Sequence, residues 1–104
     1  MFSLSFQVLS DDPLKLRYLT QSINNIFKDI CEPVKVGASY ICAPSQNTLI
    51  LLYFNSQSIR DMNVHLEIIS NDAMYITKTI QEINNRFRSQ GFYITLLETS
   101  RTSL

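Results

Sequence analysis

Few residues of this chain have types suited to chemistry. His65 is the sole histidine, and Glu67 stands two places on. A shift of 60 residues brings Ser5 and Gln7 into register with them. If both stretches are neighbouring strands, Ser5, Gln7, His65 and Glu67 form one polar cluster on one sheet face. A histidine beside a carboxylate can act as a general base with its orienting partner. The rest of such a site is missing from the sequence. There is no second histidine and no matched nucleophile motif, and two glycines cannot build a phosphate loop. One histidine with scattered carboxylates lacks metal-ligand spacing. The expectation is therefore a solvated or interface-facing sheet surface. No catalytic, cofactor-binding or metal-ligating residue is assigned, and the chain is read as a non-enzyme.

The elements that would position this cluster show themselves through an internal repeat. Ile23-Asn24-Asn25-Ile26-Phe27 returns as Ile83-Asn84-Asn85-Arg86-Phe87. The same shift aligns Ser10 with Ser70, Asp12 with Asp72 and Gln21 with Gln81 without a gap. Self-similarity at a fixed offset signals duplicated architecture. In the first copy, Phe2, Leu4, Phe6 and Val8 alternate with polar residues, as a half-buried strand does. Asp12-Pro13 opens a helix, with a capping carboxylate and a proline where no hydrogen bond is lost. Leu16, Leu19, Ile23, Phe27 and Ile30 make its apolar stripe, and Glu32-Pro33 stops it. In the second copy Val64, Leu66 and Ile68 alternate. Ser70-Asn71-Asp72 caps a helix with the stripe Ile76, Ile80, Ile83 and Phe87, and Gly91 ends it. Phe92, Ile94 and Leu96 then alternate in a last strand.

Between the copies, residues 34–42 read as one strand with Val34, Val36, Ala38, Tyr40 and Cys42 on one face. Residues 43–47 form a turn. Thr48 to Phe54 is apolar at nearly every position, as in a strand covered on both faces. Residues 55–58 break it, and residues 59–61 belong to that turn or to the next strand. The expected order is β-α-β-β-β-α-β, with both helices on one side through right-handed crossovers. That pattern predicts a ferredoxin-like two-layer α/β plait, class α+β. It comprises a single domain over 1–104, with repeats at about 2–42 and 62–98, a connecting strand at 48–55 and a flexible tail at 99–104.

Composition narrows the functions. At 104 residues the chain has room for one core. Formal net charge is zero, which removes the basic surplus that nucleic acid or an anionic membrane needs. An RNA platform also needs aromatics on the central strands, where this sequence offers Ser3, Ser5, Gln7, His65 and Glu67. The longest apolar run, Leu49 to Phe54, is far too short to span a membrane. Cys31 and Cys42 lack a CxxC spacing and are expected as free, buried thiols in a reducing compartment. With no leader-like N-terminus, the cytoplasm is the expected location.

The feature left unexplained is a surplus of apolar residues. Two helices cover one sheet face, while Ile41, Ile69, Leu97 and one side of the 48–54 strand point to the other. Alternation leaves open whether that side carries Leu51 and Tyr53 or Leu52 and Phe54. The set Leu51, Leu52, Tyr53, Phe54, Ile41, Ile69 and Leu97 is the candidate interaction surface. An exposed patch of that size calls for a cover. A homodimer or another protein partner is expected, with the 48–54 strand as an apolar edge. The leading expectation is an interaction module: a self-associating adaptor, chaperone-like subunit or inhibitor. The alternative is a regulatory domain binding a small ligand at a dimer interface. An RNA-binding domain or a small enzyme using His65 comes behind both.

Overall fold

The computed structural model describes residues 1–56 and 62–101. Strand β1 (Phe2–Ser10) leads into a 3₁₀ helix (Pro13–Tyr18) that runs directly into α1 (Leu19–Phe27). Strands β2 (Val34–Val36), β3 (Ser39–Ser45), β4 (Thr48–Ser56) and β5 (Met62–Ser70) follow. Helix α2 (Ala73–Ser89) and strand β6 (Phe92–Arg101) complete the chain. The sheet is six-stranded in the order β2-β3-β4-β5-β1-β6, and every neighbouring pair is antiparallel.

This corrects the expected fold class. The molecule is a mixed α+β protein dominated by its sheet, and the five-strand β-α-β-β-β-α-β plait order does not describe it. The difference arises at residues 34–42. Gly37, at φ +62°, reverses the chain, so that Val36 pairs with Ser39 across a two-residue loop. Ala38 stays at negative φ, the pattern of a turn with glycine in its first central position. Pairing Val34 with Ile41 and Lys35 with Tyr40 inverts the faces. Val34 and Val36 therefore leave the face that carries Tyr40 and Cys42. The expected 43–47 turn shortens to Gln46-Asn47, because Pro44 sits in an irregularity of the β3–β4 ladder between Cys42 and Ser45. A bulge there suits a residue that has no N–H to donate.

The first helix is also shorter than its stripe implies. Asp12 caps as expected, accepting from the Leu14 amide at 3.0 Å. The first turns are 3₁₀, and the α-helical part ends at Phe27, where Asp29 adopts φ +65°. Arg86 of α2 reaches the carbonyl oxygens of Lys28 at 2.8 Å and Asn25 at 3.3 Å. It thus satisfies carbonyls that the end of α1 leaves unpaired. Helix α2 is capped by Asp72, whose carboxylate accepts from the Met74 and Tyr75 amides, and it ends before Gly91 at φ +88°. The expected 99–104 tail is corrected in part, since Thr99, Ser100 and Arg101 pair with β1. Residues 57–61, which include the 59–61 segment of uncertain role, and residues 102–104 lie outside the described residues.

The core lies between the helices and one face of the sheet. Leu19, Ile23, Ile26 and Phe27 of α1 and Ile76, Ile83 and Phe87 of α2 are buried against Phe6, Val8, Ile50, Leu52, Val64, Leu66 and Ile68. Phe27 and Phe87 meet edge to face with ring centres 6.4 Å apart, a favoured aromatic geometry. Both helices therefore cover the same side. In the β1–β5 register Phe6 faces Leu66, its counterpart 60 residues on. Among the described residues no helix is long and apolar enough to cross a membrane.

Candidate functional site

Because successive strand residues point to opposite sides, burial of one set on the helix side fixes which residues occupy the other. The register then orders them in cross-strand rows. One row reads Val36, Ser39, Tyr53, His65, Gln7, Thr95. The next reads Val34, Ile41, Leu51, Glu67, Ser5. A third places Leu49 against Ile69 and Ser3. The helix-free face thus has two halves. Over β2, β3 and β4 it is mainly apolar, with Ser39 and Asn55 as exceptions, and Ile69 of β5 continues it. Over β5, β1 and β6 it is mostly polar, with Leu9 and Tyr93 together at a far corner.

The polar cluster of Ser5, Gln7, His65 and Glu67 is brought together, with Ser5 opposite Glu67 and Gln7 opposite His65. All four are half-buried. Its chemistry goes no further. The ion pair found among the described residues joins Arg86 to Glu82 on α2, and neither His65 nor Glu67 takes part. No group of three or more potential metal ligands occurs among the described residues. Tyr53, directly opposite His65, has its hydroxyl pKa raised, first by burial and then by the Glu67 carboxylate nearby.

The candidate interaction residues divide. Ile41, Leu51, Tyr53 and Ile69 stand on the helix-free face. Leu52, at 1% exposure, lies in the core, and Phe54 packs against Tyr40 with ring centres 5.9 Å apart. Leu52 and Phe54 are therefore core-side residues, and the side of β4 that alternation left open is the one bearing Leu49, Leu51 and Tyr53. Leu97 is exposed at a register shift in β6 and lies away from the apolar half. The expected apolar edge is corrected as well: β4 is an interior strand between β3 and β5, and the edges are β2 and β6. Val34 and Val36, missed from sequence, are 58% and 55% exposed and extend the patch. Gly37, a residue suited to a two-residue reversal, was the available signal.

Beyond Leu49 and Ile69 the apolar half ends in a concavity of about 420 Å³. Met1, Ala43, Leu49 and Ile69 supply its apolar lining, and Gln46, Asn47 and Asn71 supply polar groups.

The cysteines differ from expectation. Cys31 and Cys42 form a disulfide with Cα atoms 5.7 Å apart, so neither is a free thiol. The bridge closes a loop that holds β2, all three residues of which are exposed, and the start of β3. It anchors an edge strand that contributes no buried side chain.

No protein-family model matches the chain, and no curated protein matches it.

Proposed function

We propose that this protein is a non-enzymatic interaction module that works by presenting the apolar half of its helix-free sheet face to another protein chain. The observation that carries this reading is the continuous apolar surface of Val34, Val36, Ile41, Leu49, Leu51 and Ile69, with Tyr53 at its border. Contiguous apolar patches of this kind on a small domain mark contact sites. Neutral overall charge leaves little long-range repulsion between copies, so self-association is the simplest form of the activity. The disulfide fits an oxidising compartment better than the cytoplasm that free thiols would suit.

A second reading rests on the concavity beside Leu49 and Ile69, which would hold a small ligand at the border of an assembly. Mixed apolar walls with a few polar groups are the usual lining of ligand sites. Sedimentation velocity over a dilution series, with a thermal-shift screen of metabolites at millimolar concentration, separates the two. The interaction reading expects concentration-dependent association and no metabolite that raises the melting temperature. A monomer at all concentrations, stabilised by one metabolite, would favour the ligand reading, because a native-state ligand must raise that temperature.

A further inference from the structure

We propose that the outer edge of β6 is a docking site for an extended segment of another protein. The segment adds to the sheet as an antiparallel strand, with an aromatic residue opposite Leu96 and a small apolar residue opposite Ile94. This surface is separate from the apolar half of the helix-free face and does not rest on the interaction reading above. The internal repeat supplies the argument. A shift of 60 residues exchanges the Leu4–Ile68 pair of β1 and β5 with the Val8–Val64 pair, so a pseudo-twofold relates the two strands. Their outer neighbours correspond too. Ile94 and Leu96 of β6 face Val8 and Phe6, as Ile50 and Leu52 of β4 face Ile68 and Leu66.

On β4 the next place in the sheet is taken: β3 pairs Tyr40 with Leu52 and Cys42 with Ile50. On β6 no strand among the described residues takes that place. Burial registers the difference. Leu52 is 1% exposed, while its counterpart Leu96, on the same core side as Phe6, is 57% exposed. Tyr40 also packs edge to face on Phe54, which pairs with the fully buried Val64. The repeat counterpart of Val64 is Leu4, which is only half-buried. Beside Leu4 lies an apolar concavity of about 190 Å³, lined also by Phe2, Ala73, Ile76 and Thr77. The open edge and this concavity therefore stand where β3 and its Tyr40 stand in the other half of the repeat.

The edge also lacks the usual guards. Native sheets protect free edges with charges and proline. A register shift limits the site to Phe92–Leu96, and that run holds neither a charge nor a proline. A row of edge backbone N–H and C=O groups selects an extended chain, and the positions of alternate side chains select its sequence. Tyr40-Ile41-Cys42 of β3 shows the pattern required: an aromatic residue, one residue facing away, then a small apolar one.

The probe is a synthetic peptide of residues 38–43 of this chain, carrying Cys42→Val to prevent thiol exchange. It is titrated to millimolar concentration into the full chain, with Cys31 and Cys42 left paired, and backbone amides are followed by NMR. Saturable shifts are expected at Phe92–Leu96 and at Ile76. A fully N-methylated peptide, which cannot donate to the ladder, is expected to cause none. Leu96→Asp, at an exposed position, is expected to stay folded and to weaken binding about tenfold, as loss of one apolar anchor does. No shifts at millimolar peptide, or shifts that survive N-methylation, overturn the proposal. So do shifts confined to β3 and β4, which would mean that the peptide only displaces its own original. Shifts in β6 on diluting the protein alone would put a second copy on the edge and overturn it equally.

Discussion

The two halves of the helix-free face share one sheet and one alternation, yet they are different surfaces. On β5 and β1 the outward positions carry His65, Glu67, Gln7 and Ser5, while the inward ones carry Val64, Leu66, Phe6 and Val8. That is the ordinary pattern of an antiparallel sheet with one wet face. On β4 the inward positions Ile50 and Leu52 are buried, yet Leu49 and Leu51 face outward and are still apolar. Nothing in the monomer requires this, since water would solvate polar residues there at no cost to the core. Apolar character that the fold does not need supports the proposed contact, and its confinement to one half would give that contact a boundary.

The sharpest way to break the comparison is to charge the two sides of β4 in turn. Leu52→Glu places a carboxylate in the packed core and should cost about 4–5 kcal/mol or more. That is enough to unfold much of a protein of ordinary stability, and circular dichroism would show it. Leu51→Glu, one residue away, should still fold, with a loss of about 1 kcal/mol because its carboxylate would stand opposite Glu67 on β5. Equal damage from both would mean that Leu51 is also part of the monomer core.

Reduction of Cys31–Cys42 comes next. A bridge closing a loop of about this length stabilises a fold by roughly 3 kcal/mol in the chain-entropy account. A dithiol should therefore lower the melting temperature, and amide exchange should rise first at Lys35 and Val36, because β2 has few other anchors. Association should weaken in parallel, since Val34 and Val36 belong to the apolar half. Unchanged exchange in β2 would show that three ladder pairs suffice to hold it.

The smallest effect is expected on the polar half. His65→Ala should shift stability by about 0.5 kcal/mol or less and leave association as it was. Loss of association with an intact fold would place His65 in the contact and dissolve the boundary between the halves.

Much of this division was legible in the sequence. Alternation marked β1 and β5, and the 60-residue shift made Ser5, Gln7, His65 and Glu67 neighbours on one face, while which faces which is set by the antiparallel register. The apolar surplus of Leu49–Phe54 was plain, but an all-apolar strand has no polar residues to show which side faces water. The β2–β3 hairpin was hidden because Val34, Val36, Ala38, Tyr40 and Cys42 keep their period across it, and a reversal at Gly37 leaves that period unbroken. The disulfide was hidden for the same reason, since only the doubling back of 34–42 brings Cys42 to Cys31. The 3₁₀ start of the first helix was masked because Leu16 and Leu19, three apart, fit a three-residue turn as well as an α-turn.

The most direct test of the central claim adds the same charge to each half. Sedimentation equilibrium at micromolar to millimolar concentration would compare wild type, Leu51→Glu on β4 and Thr95→Glu on β6, where Thr95 shares the helix-free face opposite Gln7. The division into halves predicts a concentration-dependent dimer for wild type and for Thr95→Glu, and a folded monomer for Leu51→Glu, only slightly destabilised by Glu67 opposite it. A wild type that stays monomeric throughout, or a Thr95→Glu variant that dissociates as fully as Leu51→Glu, would contradict it.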